Sequence, residues 1–340
     1  RDVERSRGLG DVYKRQFMLK ARIRVRLCLC ILIFTVFCSC GCSSGRTKAT
    51  INGYTFTLTT GSGDEAVIRG GDEYITSAQV RVLLEAVRTG YENALTSDIW
   101  TMELANRSFK AHVDNMVLDM AARLVLVNML ADDKHIALSD SELADCTARA
   151  DAFYDEHSED IAYIKRDELR KLFAMMVLSD KVYDELTRSV DTQVSVDEAR
   201  VIRIQYIYSD KSGDASSKVE KLEKALEEFQ AGEDFTALVS KYSDIPDYTA
   251  QIGRGELEKS FEDAAFNLDT GQISDIVSCT NGWYLIYCID DNVTGKAESQ
   301  TESIIQKRRN EQFEKHLGDF SDGVELIIDD RQWEKLSSQE

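Results

Sequence analysis

The stretch that decides the fold of the second half of the chain is GRGELEKSFEDAAFNLDTGQIS, residues 253–274. Four apolar residues at helical spacing share one face: Phe261, Ala264, Ala265 and Leu268. The Asp269-Thr270-Gly271 sequence that follows is typical of a turn. Further on, Asn281-Gly282 predicts a tight hairpin turn between a strand over 272–279 and a strand over 283–289. The stretch therefore predicts a helix that leads into a β-hairpin.

The residues before this stretch predict the rest of a small domain. ARVIRIQYIY, residues 199–208, is rich in β-branched and aromatic residues and predicts a strand. A helix over 217–231 follows, and Gly232 ends it. A second helix carries an apolar face made of Phe235, Leu238, Val239 and Tyr242. The order strand, three helices, hairpin predicts an α+β domain of about 90 residues, an ordinary domain size.

Three segments of this domain resemble the parvulin family of peptidyl-prolyl cis/trans isomerases. They are AGEDFTALVSKYSD (231–244), residues 253–274 and NGWYLIY (281–287), and the resemblance covers about residues 199–291. It implies a parvulin-like isomerase domain in which Leu257 and Phe261 form an apolar cup for proline, with Phe266 behind. The chemistry of such a domain requires no nucleophile, metal or cofactor, because rotation about an X-Pro bond breaks no covalent bond.

The sequence departs from the family where the family places two histidines that are linked across the floor of the site. The last of these positions is Tyr284 here, and the first falls on Gln205 or Tyr206. Ile245 occupies a position that is often Cys or Asp in the family. Because a phenol can both donate and accept a hydrogen bond, Tyr284, Tyr206 and Gln205 are the candidate catalytic residues.

Residues 42–198 predict a mainly helical lobe with a short β start. INGYTFTLTT, residues 51–60, alternates like an edge strand. Capping boxes at Thr76-x-x-Gln79 and Ser139-x-x-Glu142 begin two helices, Ser108 caps another, and the apolar spacing over 169–177 marks a fourth. The methionines in these helices belong to the core or line an adaptable groove for unfolded chains: Met116, Met120, Met129, Met175 and Met176.

The C-terminal residues 292–340 predict one helix, over about 299–317, and a tail. A helical lobe, an inserted isomerase domain and a returning helix are similar to the arrangement of PrsA- and SurA-type foldases. The expected fold class is therefore α+β, a mainly helical chaperone lobe of that type with a parvulin-like domain inserted in it.

The start of the chain resembles an export signal. Residues 1–17 precede Met18, and we interpret them as an upstream extension or an artefact. Residues 18–41 have a basic beginning and an apolar core over 27–37, which is shorter than the roughly 20 residues that a membrane-spanning helix needs. Ser39-Cys40-Gly41-Cys42 resembles a bacterial lipobox. We expect lipidation at Cys42, with Cys40 or an unlipidated secretory signal as alternatives, and a location on the extracytoplasmic face of a bacterial membrane.

Charge argues against a nucleic-acid partner. The chain has a formal net charge of -19, and without its first 42 residues it carries 32 basic and 57 acidic side chains, a net charge of -25. An acidic surface repels phosphate backbones. Three cysteines remain beyond the signal region, Cys146, Cys279 and Cys288, and we interpret them as isolated small hydrophobes. The predicted turn at Asn281-Gly282 would place Cys279 opposite Tyr284 and not opposite Cys288.

Two functions are consistent with the sequence. One is a membrane-anchored foldase that accelerates prolyl isomerisation in unfolded or exported polypeptides at their X-Pro segments. The other is a lipid-anchored chaperone that holds clients on a parvulin-like domain without catalysis. The loss of the two histidines favours the second, and the retention of Leu257 and Phe261 favours the first. A third hypothesis, an inert surface scaffold, predicts no affinity for unfolded chains.

Overall fold

The computed structural model of the chain describes residues 47–51, 54–59, 65–95, 97–104, 107–245 and 249–338. The predicted extension and signal peptide, including Cys40 and Cys42, lie outside the described residues. Contacts divide the chain into two compact units, one formed by Arg1–Arg188 with Phe313–Glu340 and the other by Ser189–Gln312. We call them the first and second unit.

The described residues form an α+β protein. Its helices are α1 (Ser77–Ala94), α2 (Phe109–Asp133), α3 (Asp140–Glu156), α4 (Arg166–Leu186), α5 (Ala215–Gln230), α6 (Phe235–Tyr242), α7 (Lys259–Phe266), α8 (Ala297–Ser321) and α9 (Asp330–Ser337). Its strands are β1 (Thr47–Ile51), β2 (Tyr54–Thr59), β3 (Ala66–Gly70), β4 (Glu73–Thr76), β5 (Glu103–Leu104), β6 (Arg107–Ser108), β7 (Val201–Asp210), β8 (Thr249–Gly253), β9 (Val277–Ser278), β10 (Gly282–Asp290) and β11 (Leu326–Asp329).

The helices of the first unit begin where their capping residues predict. Thr76 and Gln79 form a reciprocal capping box at the start of α1, and Ser139 and Glu142 form one at the start of α3. The Ser108 hydroxyl accepts a hydrogen bond from the Ala111 amide at 3.1 Å and caps α2. Helix α4 covers the predicted fourth helix. All four predicted helices are therefore confirmed.

The sheet of the first unit joins residues from both ends of the described chain. Its strand order is β1-β2-β11-β3-β4. β11 pairs in parallel with β2 and antiparallel with β3. The prediction of an edge strand over 51–60 is wrong, because β2 has β1 on one side and β11 on the other. The sequence also predicted only a tail after the C-terminal helix, where the structure has β11 and α9.

The described helices and sheet of the first unit share one apolar core. Fully buried residues of the sheet, such as Ile68 and Ile75, belong to one cluster with Leu126 of α2 and Leu169 of α4. Met175 is buried in this core, and Met129 and Met176 pack against it. These three methionines are core residues, as one of the two alternatives predicted. Cys146 is a buried free thiol.

The second unit is built on an antiparallel sheet with strand order β8-β7-β10-β9. Ile207 and Leu285 of this sheet form one cluster with residues of α5 and α6. Ile202, Ile204 and Ile286 form another with α7 residues. Because side chains alternate along a strand, α5 and α6 cover one face of the sheet and α7 the other.

Two features of this sheet differ from the prediction. Strand β8 was not predicted, and it pairs with β7 from Val201↔Gly253 to Gln205↔Thr249. The hairpin register is also shifted by two residues, since Tyr284 lies opposite Val277 and the Cys279 amide donates to the Gly282 carbonyl. The predicted pairing of Cys279 with Tyr284 is therefore wrong. Cys279 and Cys288 are buried free thiols.

Within the part of the chain that the structure describes, no helix has both the length and the apolar character needed to cross a membrane.

Candidate functional site

Strands β7 and β10 place three tyrosines on one face of the sheet. Tyr284 lies directly opposite Tyr208, and Tyr206 lies opposite Ile286. Opposed residues of an antiparallel pair share a face, and so do residues two apart on one strand. Tyr206, Tyr208 and Tyr284 therefore share the face that α7 covers, and all three are partly buried.

Helix α7 adds Phe261 to this face. Its ring centroid lies 5.0 Å from that of Tyr284 and 5.8 Å from that of Tyr206, in both cases edge to face. The rings of Tyr206 and Tyr284 are 5.4 Å apart, and those of Tyr208 and Tyr284 are 5.1 Å apart. These four residues form what we call the aromatic cluster. Edge-to-face pairs are the favoured geometry of aromatic rings, so the cluster stabilises itself as well as the sheet.

Asn281 orients two of the phenol groups. The Tyr284 hydroxyl donates a hydrogen bond to the Asn281 Oδ1 atom at 3.0 Å, and the Tyr208 hydroxyl donates to the Asn281 carbonyl oxygen at 2.9 Å. Burial raises the pKa of Tyr284 above its ordinary value near 10. Tyr284 is therefore a neutral phenol at physiological pH.

Gln205 lies on the opposite face of the sheet. Its side chain is 4% exposed, and its Oε1 atom accepts a hydrogen bond from the Thr236 hydroxyl of α6 at 3.3 Å. Of the two sequence positions for the first family histidine, only Tyr206 shares a face with Tyr284 and Phe261. The structure brings these three predicted residues together and places Gln205 away from them.

The predicted proline cup contains one exposed residue and two buried ones. Leu257 lies in the loop between β8 and α7 and is 47% exposed, whereas Phe261 is 5% exposed. Phe266 is buried in the same apolar cluster as Phe261, and the guanidinium carbon of Arg254 lies 4.4 Å from the centroid of its ring. Phe266 is therefore a core residue, and Leu257 is the exposed residue of the predicted cup.

Sequence reasoning missed two residues of this site. Tyr208 is two positions after Tyr206 on a strand, so the alternation of ARVIRIQYIY contains the signal that both face the same way. The sequence predicts Asn281 only as a turn residue, and nothing local indicates that its carbonyl and side-chain oxygens accept hydrogen bonds from two phenols.

A polar edge borders the aromatic cluster where α7 begins. The Cys279 Sγ atom is buried and lies 3.3 Å from the Ser260 hydroxyl. The Glu258 carboxylate accepts hydrogen bonds from the Ser260 hydroxyl at 3.0 Å and from the Thr280 amide at 2.8 Å. Among the residues that the structure describes, no group of three or more His, Cys, Asp or Glu side chains is placed to hold a metal ion.

Comparison with known proteins identifies the domain that carries this site. Residues 202–290 match the family profile described as "Rotamase: PPIC-type PPIASE domain". The foldase protein PrsA of Caldanaerobacter subterraneus is 26% identical over 264 residues, which are 72% of this chain and 79% of the relative. The peptidyl-prolyl cis-trans isomerase ESS1 of Saccharomyces cerevisiae is 37% identical over 78 residues, 22% of this chain and 46% of that protein.

Other relatives match over shorter segments. The chain spans 37% of the length of the foldase protein PrsA of Halalkalibacterium halodurans, at 29% identity over 124 residues, 34% of this chain. Among solved structures, the peptidylprolyl isomerase PrsA of Bacillus cereus is 18% identical, with a TM-score of 0.42 and coverage of 70% of this chain and 98% of that one.

Proposed function

We propose that this chain, which contains a PPIC-type parvulin domain at residues 202–290 and has PrsA foldases among its relatives, is a peptidyl-prolyl cis/trans isomerase that assists the folding of exported polypeptides. The observation that carries the proposal is the aromatic cluster of Tyr206, Tyr208, Phe261 and Tyr284 on one sheet face of that domain.

The chemistry that this site must perform is rotation about an amide bond. The barrier is about 18–20 kcal/mol, because the C–N bond loses its double-bond character when it twists. A site lowers the barrier when it binds the twisted amide more tightly than the planar one. Leu257 and the partly buried rings of Tyr206, Tyr208 and Tyr284 supply apolar surface for the proline ring. The phenols that Asn281 orients supply fixed polar groups beside it, and such preorganised dipoles stabilise developing charge.

A matched pair of leucine variants tests this assignment. Leu257 is 47% exposed in the second unit and Leu143 is 48% exposed on α3 of the first unit, so both truncations remove similar surface. Isomerisation of a series of X-Pro peptides is measured by protease coupling at several protein concentrations. We expect Leu257→Ala to lower kcat/KM several-fold, because KM rises, and Leu143→Ala to leave kcat/KM unchanged. Equal kcat/KM in both variants and the wild type would contradict the proposed site.

A holdase is the alternative function that a specific observation favours. The Phe261 ring is 5% exposed because the tyrosines that replace the two family histidines pack against it. A site filled by its own side chains binds surface segments of a client more readily than it encloses a proline. If the chain suppresses aggregation of an unfolded client but shows no turnover at any concentration, the holdase is correct and the isomerase is not.

The proposal includes a lipid anchor at Cys42. It is supported by the basic beginning, the short apolar core and the Ser39-Cys40-Gly41-Cys42 sequence. Two acyl chains on one cysteine suffice for stable attachment to a membrane, here the extracytoplasmic face of the bacterial cell membrane. Expression in a bacterial host with a fatty-acid analogue should label the wild type and not Cys42→Ala. Labelling that moves to Cys40, and is lost only in the double variant, would correct the site. Labelling that survives the double variant would rule out the anchor.

A further inference from the structure

The Glu262 carboxylate binds two backbone amides of the loop that carries Leu257. Its Oε2 atom accepts a hydrogen bond from the Gly255 amide at 3.0 Å, and its Oε1 atom accepts one from the Leu257 amide at 2.7 Å. The side chain is 9% exposed. A nearly buried carboxylate is costly unless its oxygens are bonded, and here the loop supplies both donors. Glu262 and the loop are therefore structurally coupled.

Helix α8 holds the same loop by its carbonyl groups. The Lys307 ammonium donates to the Gly255 carbonyl oxygen at 3.0 Å, and the buried Gln300 amide donates to the Arg254 carbonyl oxygen at 3.4 Å. Gly255 has a φ of +83°, a conformation that residues other than glycine rarely adopt. The loop thus has a defined, bonded backbone although residues 255–259 are exposed.

We infer that Glu262 is a positioning residue that holds Leu257 where it meets the proline of a client, an inference that rests on the function proposed above. An exposed leucine makes too little packing contact to fix its own place, so the bonded amides of its loop decide where the side chain lies. Glu262 reaches these amides from α7, the helix that also carries Phe261. One helix therefore sets the distance between the two predicted walls of the cup.

The inference predicts a particular kinetic signature. Leu257 would contact the proline ring, which stays intact and apolar throughout the rotation, so its contribution is the same in the ground state and the transition state. Loss of such uniform binding raises KM and leaves kcat unchanged. A carboxylate can accept both amide bonds, whereas the amide of Glu262→Gln can accept one and must turn its own N–H group toward the other donor. We expect KM to rise about tenfold, the order of one lost charge-assisted hydrogen bond.

The experiment compares Glu262→Gln with Asp263→Asn in the full chain. Asp263 is the next residue, undergoes the same change of charge and pairs at 2.7 Å with the exposed Lys259. The readouts are KM and kcat on an X-Pro peptide, amide hydrogen exchange at Gly255 and Leu257, and the melting temperature. We expect a raised KM, an unchanged kcat and faster exchange at both amides in Glu262→Gln only.

The outcomes separate the inference from the function on which it rests. If the wild type turns over peptides and the two variants share its KM and amide exchange, Glu262 does not position Leu257. If Glu262→Gln lowers the melting temperature without changing KM, its role is only structural and the inference is overturned. If the wild type neither binds nor isomerises the peptide, the proposed function is wrong, and so is the inference that rests on it. Should Glu262→Gln not fold, Lys307→Met must raise KM in the same way, because Lys307 holds the same loop from α8.

Discussion

Phe261 and Leu257 are one helical turn apart in sequence but lie in different surroundings. Phe261 makes edge-to-face contacts with two tyrosines inside an apolar cluster, and Leu257 is largely exposed. We expect Phe261→Ala to cost about 3–5 kcal/mol of unfolding free energy, the usual range for a buried aromatic ring, and Leu257→Ala to cost less than about 0.5 kcal/mol. Urea unfolding of both variants measures the difference. A Phe261→Ala variant as stable as the wild type would show that the ring lines an open cup.

Tyr284 stands at a position where the resemblance to parvulins implies a histidine. Because burial raises its pKa, the phenol does not titrate near neutrality, and wild-type turnover should be flat between about pH 6 and 8. Tyr284→His restores a family histidine, so turnover should rise and become pH-dependent at or below about pH 6.5, since burial lowers the pKa of an imidazole. Peptide isomerisation across this pH range checks both statements. Tyr208→His is the control on the same face, and an equal gain there would mean that the position of the histidine is irrelevant.

Elements that depend on interactions between residues close in sequence were predictable from the sequence. Elements that depend on residues distant in sequence were not. The Thr76 and Ser139 capping boxes lie within four residues, and both helices begin at them. Strand β8 forms only because β7, more than 40 residues earlier, offers it a partner. The turn of the hairpin is also bonded to a residue outside it, since the Glu258 carboxylate accepts a hydrogen bond from the Thr280 amide at 2.8 Å. An Asn-Gly pair signals a turn, but it does not by itself specify which residues pair across the turn, and here Tyr284 pairs with Val277.

The capping box of α3 makes the stability of the first unit depend on pH. The hydrogen bond from Lys181, together with those from Ser139, lowers the pKa of Glu142 from 4.5 to about 2. A lowered pKa in the folded state means stabilisation that is complete above about pH 4.5 and is lost as the pH falls toward 2. Glu142→Gln should therefore melt below the wild type at pH 7 and at pH 5, and the two should converge near pH 2. Glu159→Gln, an exposed control of equal charge change, should show no such gap. A gap that persists at pH 2 would mean that the charge of Glu142 is not its cause.

At the scale of the whole molecule, the first unit is assembled from two distant parts of the chain. β11 lies between β2 and β3, so a strand near residue 326 pairs with strands near residues 56 and 70. Phe313 and Leu317 of α8, Leu326 of β11 and Leu336 of α9 belong to the same core as α1 and α2. The resemblance to foldases predicts a C-terminal helix that returns to the helical lobe. No local pattern near residue 326 identifies its partners, because both lie more than 250 residues away.

The second unit, Ser189–Gln312, extends beyond residues 199–291 at both ends. Residues 199–291 contain both apolar clusters of its sheet, so this fragment should fold alone with a cooperative urea transition. It lacks the bonds that α8 makes: Gln300 to Arg254, Lys307 to Gly255, and Arg308 to the carbonyl oxygen of Gln193 at 2.7 Å and to Glu198 at 2.6 Å.

The longer fragment 189–312 retains these bonds, and each of the three that go to backbone carbonyl oxygens is worth about 0.5–1.5 kcal/mol net. We therefore expect 189–312 to be about 2–4 kcal/mol more stable than 199–291 and to bind an X-Pro peptide more tightly, because its Leu257 loop stays held from both sides. Arg308→Ala in the longer fragment should lower its stability by part of this difference. Peptide affinity should not change, since Arg308 does not touch that loop. Equal stability of the two fragments would show that α8 is dispensable for the domain, and a noncooperative 199–291 would show that the domain cannot be cut at the boundary that the sequence predicts.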